Sequence, residues 1–477
     1  MNFFVSMPRL RYAAFAVVLT AAVCTGASAQ LTPEVQARIT EAAQRIVTET
    51  GVPSASVGVA QNGKIVYTQA FGQARLQPPV PASAALAYPV GSISKQFTAT
   101  AVLLLQQDGK LRLDDPVAKF FPQLTRAGEV TVRNLLTHTS GYQDYAPQDY
   151  TIPRWLKAED PLKIVEEFAG KPLDFEPGTQ WQYSNTNFEL AALIVQKASG
   201  VPFAEFLRTR VLEPAKLAGV LNLNTQQSQL QVTGYMRNAL APLRPAALEA
   251  PGWYFGDGDL AMPVRSLLTW DLTFVNQSLL TPASYHEMET PFILKNGTDT
   301  HYGLGVFVRT LNGQLLIEHS GEVGGFVAEN MVLPAQGIAI SVLTNQEASG
   351  AASEIGQALL PITLSGSRTA SPSDATATAF APKLAGILSG LLQGKIDRGL
   401  FTADCNAYFD QNALDDFRTS LSSLGTVKDV TMEHSALRGG MTFGSYKTSF
   451  SGGASVRLTV YLEPDGKIEQ LLVEGKE

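Results

Sequence analysis

Segments typical of β-strands lie near both ends of a long stretch of this chain, with helical segments between them. Alternating runs at 54–60 and 64–70 are joined by Gln61-Asn62-Gly63, and an Asn-Gly turn between apolar runs is a strong hairpin signal. Further strand-like runs occur at 303–309, 314–319, 326–333 and 338–343. The simplest architecture is one antiparallel sheet with a helical portion beside it, and a site where the two meet.

Two helices are predicted within this region. Residues 39–47 have helical periodicity, which Gly51-Val52-Pro53 ends. A long apolar segment begins at Ser92, continues to about residue 107 and is ended by Asp108-Gly109, which predicts a buried helix.

The length of the chain and one stretch of unusual composition indicate how it is divided into domains. With 477 residues, 45% of them hydrophobic and 17% charged, the chain can close a large core and form two or three domains, or one with an appendage. The aperiodic Ser/Thr/Ala-rich stretch at 365–378 predicts a linker. We therefore expect a main domain over 30–364, a linker over 365–380 and a small α+β domain over 381–477.

The first 29 residues predict a cleaved secretory signal peptide. Arg9 and Arg11 precede an apolar run over 12–23, and Ala27-Ser28-Ala29 provides small residues for cleavage before Gln30. The run is too short for a membrane anchor, and the residue before Cys24 is a poor match to a lipoprotein signal. No later stretch is long and apolar enough for a membrane span. We therefore expect a periplasmic or secreted protein.

The charge and cysteine content of the processed chain exclude some classes of protein. The formal net charge of −7 becomes −9 without the two N-terminal arginines, so the chain lacks the basic character of a nucleic-acid-binding protein. Cleavage would leave Cys405 as the one remaining cysteine, so we expect no internal disulfide.

A first candidate for chemistry is Ser92-Ile93-Ser94-Lys95, at the start of the apolar helix. Residues three apart share a helix face, so the Ser92 hydroxyl and the Lys95 amine can meet. A serine is a poor nucleophile until a base takes its proton, and a desolvated amine can do so. The motif alone is weak, because a capping serine near a surface lysine has the same spacing.

A second candidate is Tyr183-Ser184-Asn185, in a turn-rich stretch. A phenol near a lysine can pass its proton to a leaving group, and an asparagine amide can hydrogen-bond both the lysine and a substrate amide. A turn asparagine beside a packing tyrosine is the simpler explanation when this segment is taken alone.

The third candidate is His319-Ser320-Gly321, followed by Glu322. Gly321 lets a substrate lie close to the strand, and the backbone N–H of Glu322 can complete an oxyanion hole with the N–H of Ser92. On its own, a strand that ends in Ser-Gly indicates little.

Taken in order, the three segments resemble the SxxK, YxN and K/H-x-G motifs of class C β-lactamases, D-Ala-D-Ala carboxypeptidases and β-lactamase-like esterases. Connecting segments are similar too: "LLTHTSG" at 135–141, "FEPG" at 175–178 and "YGLG" at 302–305. The resemblance covers about residues 33–362 and implies a sheet packed with helices, plus an all-helical subdomain.

This resemblance assigns a role to each motif residue. It implies that Ser92 is the nucleophile, that Lys95 activates it, and that Tyr183 is the general base or acid. Asn185 would orient the lysine and the substrate, and His319 would bind or polarise the substrate. The scheme is a Ser-Lys variant of the catalytic triad and requires no metal or cofactor.

The third motif departs from that of true class C β-lactamases, which have Lys-Thr-Gly where this chain has His319-Ser320-Gly321. A histidine is mostly neutral at pH 7 and anchors a carboxylate weakly. This favours a peptidase-like or esterase-like hydrolase over an efficient β-lactamase. Substrate candidates are a small ester, a peptide or D-amino-acid amide, and a β-lactam.

The alternative to an enzyme is a ligand-binding protein that has this fold but no catalytic activity. It would lack Ser92, Lys95 or Tyr183, and all three are present. For His138, in the "LLTHTSG" run, we expect a supporting hydrogen-bonded role. His286, His301 and His434 are isolated, which disfavours a metal site.

The region beyond the linker contains no recognisable nucleophile, base or metal cluster. We expect it to dock on the main domain, to mediate oligomerisation or to shape access to the pocket, together with loops at 142–155 and 246–259. Asp415 and Asp416 are expected on a solvated helix face. The sequence leaves the oligomeric state open.

Overall fold

The computed structural model describes residues 31–364, 380–438 and 440–476. The predicted signal peptide and nearly all of the predicted linker lie outside these residues. The helices are, in chain order, α1 Pro33–Thr50, α2 Ser94–Gln107, α3 Val132–Leu136, α4 Pro161–Phe168, α5 Asn185–Ser199, α6 Phe203–Leu207, α7 Leu223–Gln226, α8 Val264–Asn276, α9 Pro282–Met288, α10 Ala351–Thr363, α11 Ala381–Leu391, α12 Ala403–Tyr408 and α13 Gln411–Leu421.

In the described residues, all strands except β8 (Pro251–Tyr254) pair into two main sheets and two small ones. The strands are, in chain order, β1 Ser54–Gln61, β2 Lys64–Arg75, β3 Val80–Pro81, β4 Tyr88–Pro89, β5 Leu221–Asn222, β6 Tyr235–Met236, β7 Arg244–Pro245, β8 Pro251–Tyr254, β9 Leu260–Met262, β10 Phe307–Leu311, β11 Gln314–Val323, β12 Phe326–Leu333, β13 Ile338–Thr344, β14 Val427–Arg438, β15 Met441–Phe450, β16 Ser455–Leu462 and β17 Ile468–Lys476.

The larger sheet joins the two ends of the main domain, as the sequence predicts. Its strand order is β10-β11-β12-β13-β1-β2-β3, and β1 pairs antiparallel with β13, with Ala55 opposite Thr344. Helices α1 and α10 cover one face and α8 packs on the other. Because both faces are covered, every residue of β13 is buried, which suits its run of Ile, Val and Leu.

The predicted hairpin between β1 and β2 is confirmed. Asn62 and Gly63 have φ values of 51° and 70°, the left-handed pair that a type I′ turn requires. The strand predicted at 303–309 starts later, at Phe307. Leu304 N–H instead donates to Met288 O at 3.0 Å and Gly305 N–H to Leu136 O at 3.1 Å, so this stretch is held by the C-terminal ends of α9 and α3 rather than by a strand.

The predicted helix at Ser92 begins two residues later than expected. Gly91–Ile93 forms a 3₁₀ turn and α2 follows from Ser94. Its side chains are buried from Ser94 to Leu105, and it packs against α5, which is buried over most of its length. Two apolar helices packed in this way form the centre of the helical portion.

The C-terminal domain, residues 380–438 and 440–476, has its own core. Its antiparallel sheet has the order β14-β15-β16-β17, and α11–α13 supply apolar side chains that include Leu384, Leu388 and Phe417. Ala239, from the main domain, is buried in the same core. The two domains therefore share packed surface.

The expectation that Asp416 faces solvent is wrong. It is 9% exposed and accepts hydrogen bonds from Asn238 Nδ2 at 3.0 Å and Arg244 Nη2 at 2.9 Å, both in the main domain. A buried carboxylate requires such partners, and the partner residues are distant in sequence, so no local pattern could indicate them. Asp415, one position earlier, is partly exposed and pairs with Arg418.

In the part of the chain that the structure describes, no single helix has both the length and the hydropathy of a membrane span. The bent pair Asn185–Ser199 and Phe203–Leu212 reaches these values only when the two helices are taken together, across a 79° bend.

Candidate active site

The Ser92 turn and strand β11 touch because glycine occupies both sides of the contact. A Cβ on Gly321 would overlap the carbonyl oxygen of Val90, and Gly91, with φ of 51°, lies directly against the backbone of Glu322. Only glycine tolerates such an approach at both positions. The structure therefore brings the first and third motifs into direct backbone contact.

Lys95 lies one turn beyond Ser92 and is fully buried. Its Nζ is 3.0 Å from Ser92 Oγ, and it donates to Asn185 Oδ1 at 2.7 Å and to the backbone oxygen of Asp257 at 3.0 Å. Two of the three tetrahedral positions on Nζ are thus fixed by protein acceptors. The third position points at the serine, as the predicted pair requires.

Asn185, at the start of α5, is held from several sides. Its backbone N–H donates to Asp144 Oδ1 at 2.8 Å, and Nδ2 donates to Ala146 O at 2.9 Å. With Oδ1 facing Lys95, the amide has a single orientation. This arrangement supports the predicted lysine-orienting role; contact with the substrate stays a prediction.

Asp257 is a site residue that the motifs do not contain. Its Oδ2 is 3.7 Å from Lys95 Nζ and accepts a hydrogen bond from Tyr145 Oη at 3.1 Å. Burial raises the pKa of Asp257, and the neighbouring lysine counteracts this rise. The one sequence signal was its position in the 246–259 loop, which we expected to shape the pocket.

Tyr183 stands beside Lys95, with Nζ 4.9 Å from the ring centroid. His138 packs on the ring with a centroid distance of 4.2 Å, and its Nδ1 accepts the backbone N–H of Ser184 at 3.2 Å. Burial and the nearby lysine hold the pKa of His138 well below its usual range, so it is neutral. His138 thus has the supporting, hydrogen-bonded position expected for it.

The backbone of β11 presents the Glu322 N–H toward the Ser92 turn. Val323 pairs with Phe326 across the two-residue turn Gly324-Gly325, and such flanking pairs are hydrogen-bonded. The next pair, Glu322 with Val327, is then non-hydrogen-bonded, so its N–H points away from β12. This is the direction that the predicted oxyanion pair requires, and the role itself stays a prediction.

His319 lines the site but is only 2% exposed. Its Nε2 is 3.0 Å from Tyr302 Oη, and its Nδ1 is 2.5 Å from Ser320 O. Burial lowers the pKa of His319 to about 3, so the ring is neutral at pH 7. With both nitrogens engaged by the protein, His319 supplies no positive charge to a substrate.

A cavity of about 400 Å³ opens above Ser92. Main-domain residues of the three motifs form one side of it, and the opposite side includes residues of the C-terminal domain. The C-terminal residues are His434, Ala436, Leu437, Arg438, Phe443 and Tyr461. The sequence indicates no individual residue of the C-terminal domain at this site. It leaves open only that the domain shapes access to the pocket.

Carboxyl groups surround the β11–β12 turn at one end of the cavity. Glu249 and Glu347 accept the backbone N–H groups of Gly324 and Gly325, at 3.2 and 2.7 Å. Burial raises the pKa of Glu249, and it raises the pKa of Glu347 to about 8. These side chains therefore fix the turn. Across the described ranges, no group of three or more His, Cys, Asp or Glu side chains has the arrangement of a metal site.

Comparison with known proteins agrees with the motif resemblance. Residues 38–360 match the β-lactamase family. A segment of 288 residues is 29% identical to penicillin-binding protein 4* of Bacillus subtilis, covering 57% of this chain and 63% of that protein. A segment of 302 residues is 27% identical to a D-aminopeptidase of Cereibacter sphaeroides, covering 62% of this chain and 57% of that protein. The chain thus spans less than two thirds of the length of these curated relatives.

A solved structure gives the same result for the fold. The D-stereospecific amidohydrolase from Streptomyces superposes with a TM-score of 0.59 at 26% identity, covering 70% of this chain and 99% of that one. The predicted fold class, an antiparallel sheet flanked by helices, is confirmed. With the family match over 38–360, the chain belongs to the β-lactamase family.

Proposed function

We propose that this protein is a serine hydrolase that cleaves an amide or ester bond through an acyl-enzyme on Ser92. The observation that carries the proposal is the 3.0 Å contact between Lys95 Nζ and Ser92 Oγ in a buried site. The names of its relatives, among them a D-aminopeptidase and a D-stereospecific amidohydrolase, support amide cleavage of the peptidase type.

Proton transfer from the serine follows from how Lys95 is held. Asn185 Oδ1 and Asp257 O fix two N–H groups, so a neutral amine directs its lone pair at the Ser92 hydroxyl. As Oγ attacks the carbonyl carbon, its proton passes to Nζ. The resulting ammonium is stabilised by the Asp257 carboxylate 3.7 Å away.

Tyr183 and the β11 backbone complete the proposed cycle. No described residue hydrogen-bonds the Tyr183 hydroxyl, while its ring lines the cavity, so the hydroxyl is available to the leaving group. It donates a proton as the bond to the leaving group breaks, and the N–H groups of Ser92 and Glu322 hold the oxyanion. Water then attacks the acyl-enzyme and gives a proton to the Tyr183 phenolate, Lys95 returns its extra proton to Ser92 Oγ as the acyl bond breaks, and the carboxylic acid leaves.

The state of His319 supports a peptidase or esterase over an efficient β-lactamase. A β-lactam carries a carboxylate, and the buried neutral ring offers that group no charge at the third motif. A D-amino-acid amide or peptide is therefore the preferred substrate class, with an ester as the alternative. We further propose that the N-terminal segment exports the protein to the periplasm or the medium.

Labelling with a fluorophosphonate tests the acyl-enzyme proposal. We expect one adduct by intact-mass spectrometry, mapped to Ser92 and lost in Ser92→Ala. The matched control is Ser94→Ala, because Ser94 lies two residues away but its Oγ accepts the backbone N–H of Leu260 at 3.2 Å. An adduct on Ser94 or Ser184, or none on the folded protein, would contradict the proposal.

A substrate panel then separates the classes. We expect D-alanine peptides and amides to be cleaved with higher kcat/KM than nitrocefin, with p-nitrophenyl esters as the test of the esterase alternative. If nitrocefin were the best substrate, the preference argued from His319 would be wrong.

A further inference from the structure

Arg438, on strand β14 of the C-terminal domain, makes direct contact with a motif residue. Its backbone forms a parallel bridge with Tyr183, and the guanidinium carbon lies 5.6 Å from the Tyr183 ring centroid. The residue also lines the cavity above Ser92. A side chain from outside the matched family region thus stands beside the group that we propose to protonate the leaving group.

One edge of the guanidinium is fully occupied by protein. Nη1 donates to Asp149 Oδ1 and to Tyr461 Oη, each at 2.6 Å. Asp149 is fixed in turn by Gln470, whose Nε2 donates to Asp149 Oδ2 at 3.1 Å. These contacts join both domains and determine where the guanidinium plane lies.

The other edge of the guanidinium, formed by Nε and Nη2, has no close hydrogen-bond acceptor among the described residues. Among the described residues, Nε of Arg438 has no hydrogen-bond partner although it is shielded from solvent. Nη2 reaches only Ala146 O, at 3.5 Å. Buried donors are nearly always satisfied, so this vacancy requires an acceptor. The N–H groups of Nε and Nη2 point in parallel, and such a fork matches the two oxygens of a carboxylate.

The other basic side chains near the cavity are held by the protein or open to solvent. Lys95 Nζ contacts Ser92 Oγ, Asn185 Oδ1 and the backbone oxygen of Asp257. Arg309 is 60% exposed and binds Glu318 at 2.9 Å. Among the basic residues that line the cavity in the described ranges, Arg438 is therefore the one whose Nε is shielded from solvent and has no hydrogen-bond partner.

We propose that Arg438 binds a carboxylate on the leaving group of the substrate, through Nε and Nη2. This inference rests on the proposed function, because it places the leaving group beside Tyr183. Arg438, rather than the neutral His319 of the third motif, is then the residue that anchors a substrate carboxylate. The selectivity for that group then comes from the C-terminal domain.

The test measures how two peptides protect Ser92 from the fluorophosphonate. The peptides are acetyl-D-Ala-D-Ala and its C-terminal carboxamide, which differ only in the proposed anchoring group. We expect the acid to protect at a concentration about 10- to 100-fold lower than the amide, the range for a hydrogen bond to a charged group. In Arg438→Gln this difference disappears, and Arg438→Lys restores part of it, because lysine keeps the charge but loses the fork.

The control is Arg457→Gln, in the same domain. Arg457 lies on β16, outside the cavity lining, and pairs with Glu433 at 3.5 Å, so the preference for the acid remains. Equal protection by both peptides in the unaltered protein, or an unchanged preference in Arg438→Gln, would overturn the inference. Absence of Ser92 labelling in the unaltered protein would instead refute the proposed function, so the two failures are distinguishable.

Discussion

The two sides of the cavity are built in different ways. On the main-domain side, Lys95 is fully buried and its Nζ is held by Ser92, Asn185 and Asp257. On the C-terminal side, Arg438 projects from a hairpin and its side chain is 23% exposed. The buried network holds Lys95 in one position, whereas the hairpin is joined to the main domain through the backbone bridge between Arg438 and Tyr183 and leaves part of its side chains exposed to the cavity. The comparison suggests that reaction chemistry lies on the first side and substrate selection on the second.

Tyr183→Phe tests the chemical side most strongly. Removing the hydroxyl leaves the ring and its packing on His138, so only proton transfer is lost. We expect kcat/KM for the best substrate to fall by about 10²-fold or more, the scale of general acid–base catalysis. Circular dichroism serves as the folding control. A loss below about tenfold would assign Tyr183 a packing role.

Gly321→Ala tests whether the strand must lie against the Ser92 turn. The added methyl group would overlap Val90 O, which is backbone and cannot turn aside, so β11 shifts away from the nucleophile. We expect the rate of Ser92 labelling to fall by about 10- to 100-fold, since misplacement of about 1 Å has effects of this size.

The matched control for that change is Gly386→Ala. A Cβ at this position of α11 meets nothing within 4 Å, and alanine favours a helix. Unchanged labelling in Gly321→Ala would show that the close approach has no catalytic importance.

The burial of His319 predicts that the free energy of unfolding decreases at acidic pH. Because burial lowers its folded-state pKa to about 3, the neutral form stabilises the fold above the unfolded-state pKa of about 6.5. That contribution is lost as pH falls from about 6.5 to 3, with a slope of up to about 1.4 kcal/mol per pH unit. We expect His319→Asn to unfold with a weaker pH dependence in this window. Equal slopes by chemical denaturation would contradict the assignment.

The smallest expected effect is a change in stability at the interface between the main domain and the C-terminal domain. Asp416→Asn keeps the shape of the side chain but removes the charge that faces Arg244. Since Arg244 is 44% exposed, we expect the free energy of unfolding to fall by only about 1 kcal/mol. Asp415→Asn, on the same helix, is the control and should change it less. A larger loss for Asp415→Asn would reverse the assignment of the buried carboxylate.

The sequence predicted those parts of the site that are local in the chain. The spacing of Ser92 and Lys95 and the Asn-Gly hairpin each depend on neighbouring residues, and the structure contains both. Spacing and period are physical properties of a single helix or strand. They can therefore be recognised before the fold is known.

Residues brought in from distant elements could not be found in this way. Asp257 follows Lys95 by 162 positions and Asp149 precedes Arg438 by 289, and neither pair has a characteristic spacing. The hydrogen bond between His319 and Tyr302 could not be predicted either. Tyr302 lies in a loop that is held by backbone hydrogen bonds to Leu136 and Met288. Such contacts depend on tertiary packing.

The backbone bridge between Tyr183 and Arg438 has a consequence for the order in which the parts of the site are synthesised. Ribosomes build chains from the N-terminus, and domains generally fold as they emerge. Ser92, Lys95 and Tyr183 are synthesised well before the hairpin that closes the opposite side. If the main domain folds first, the proposed nucleophile Ser92 lies in an open groove until this hairpin has packed, and the selectivity proposed for Arg438 begins only then.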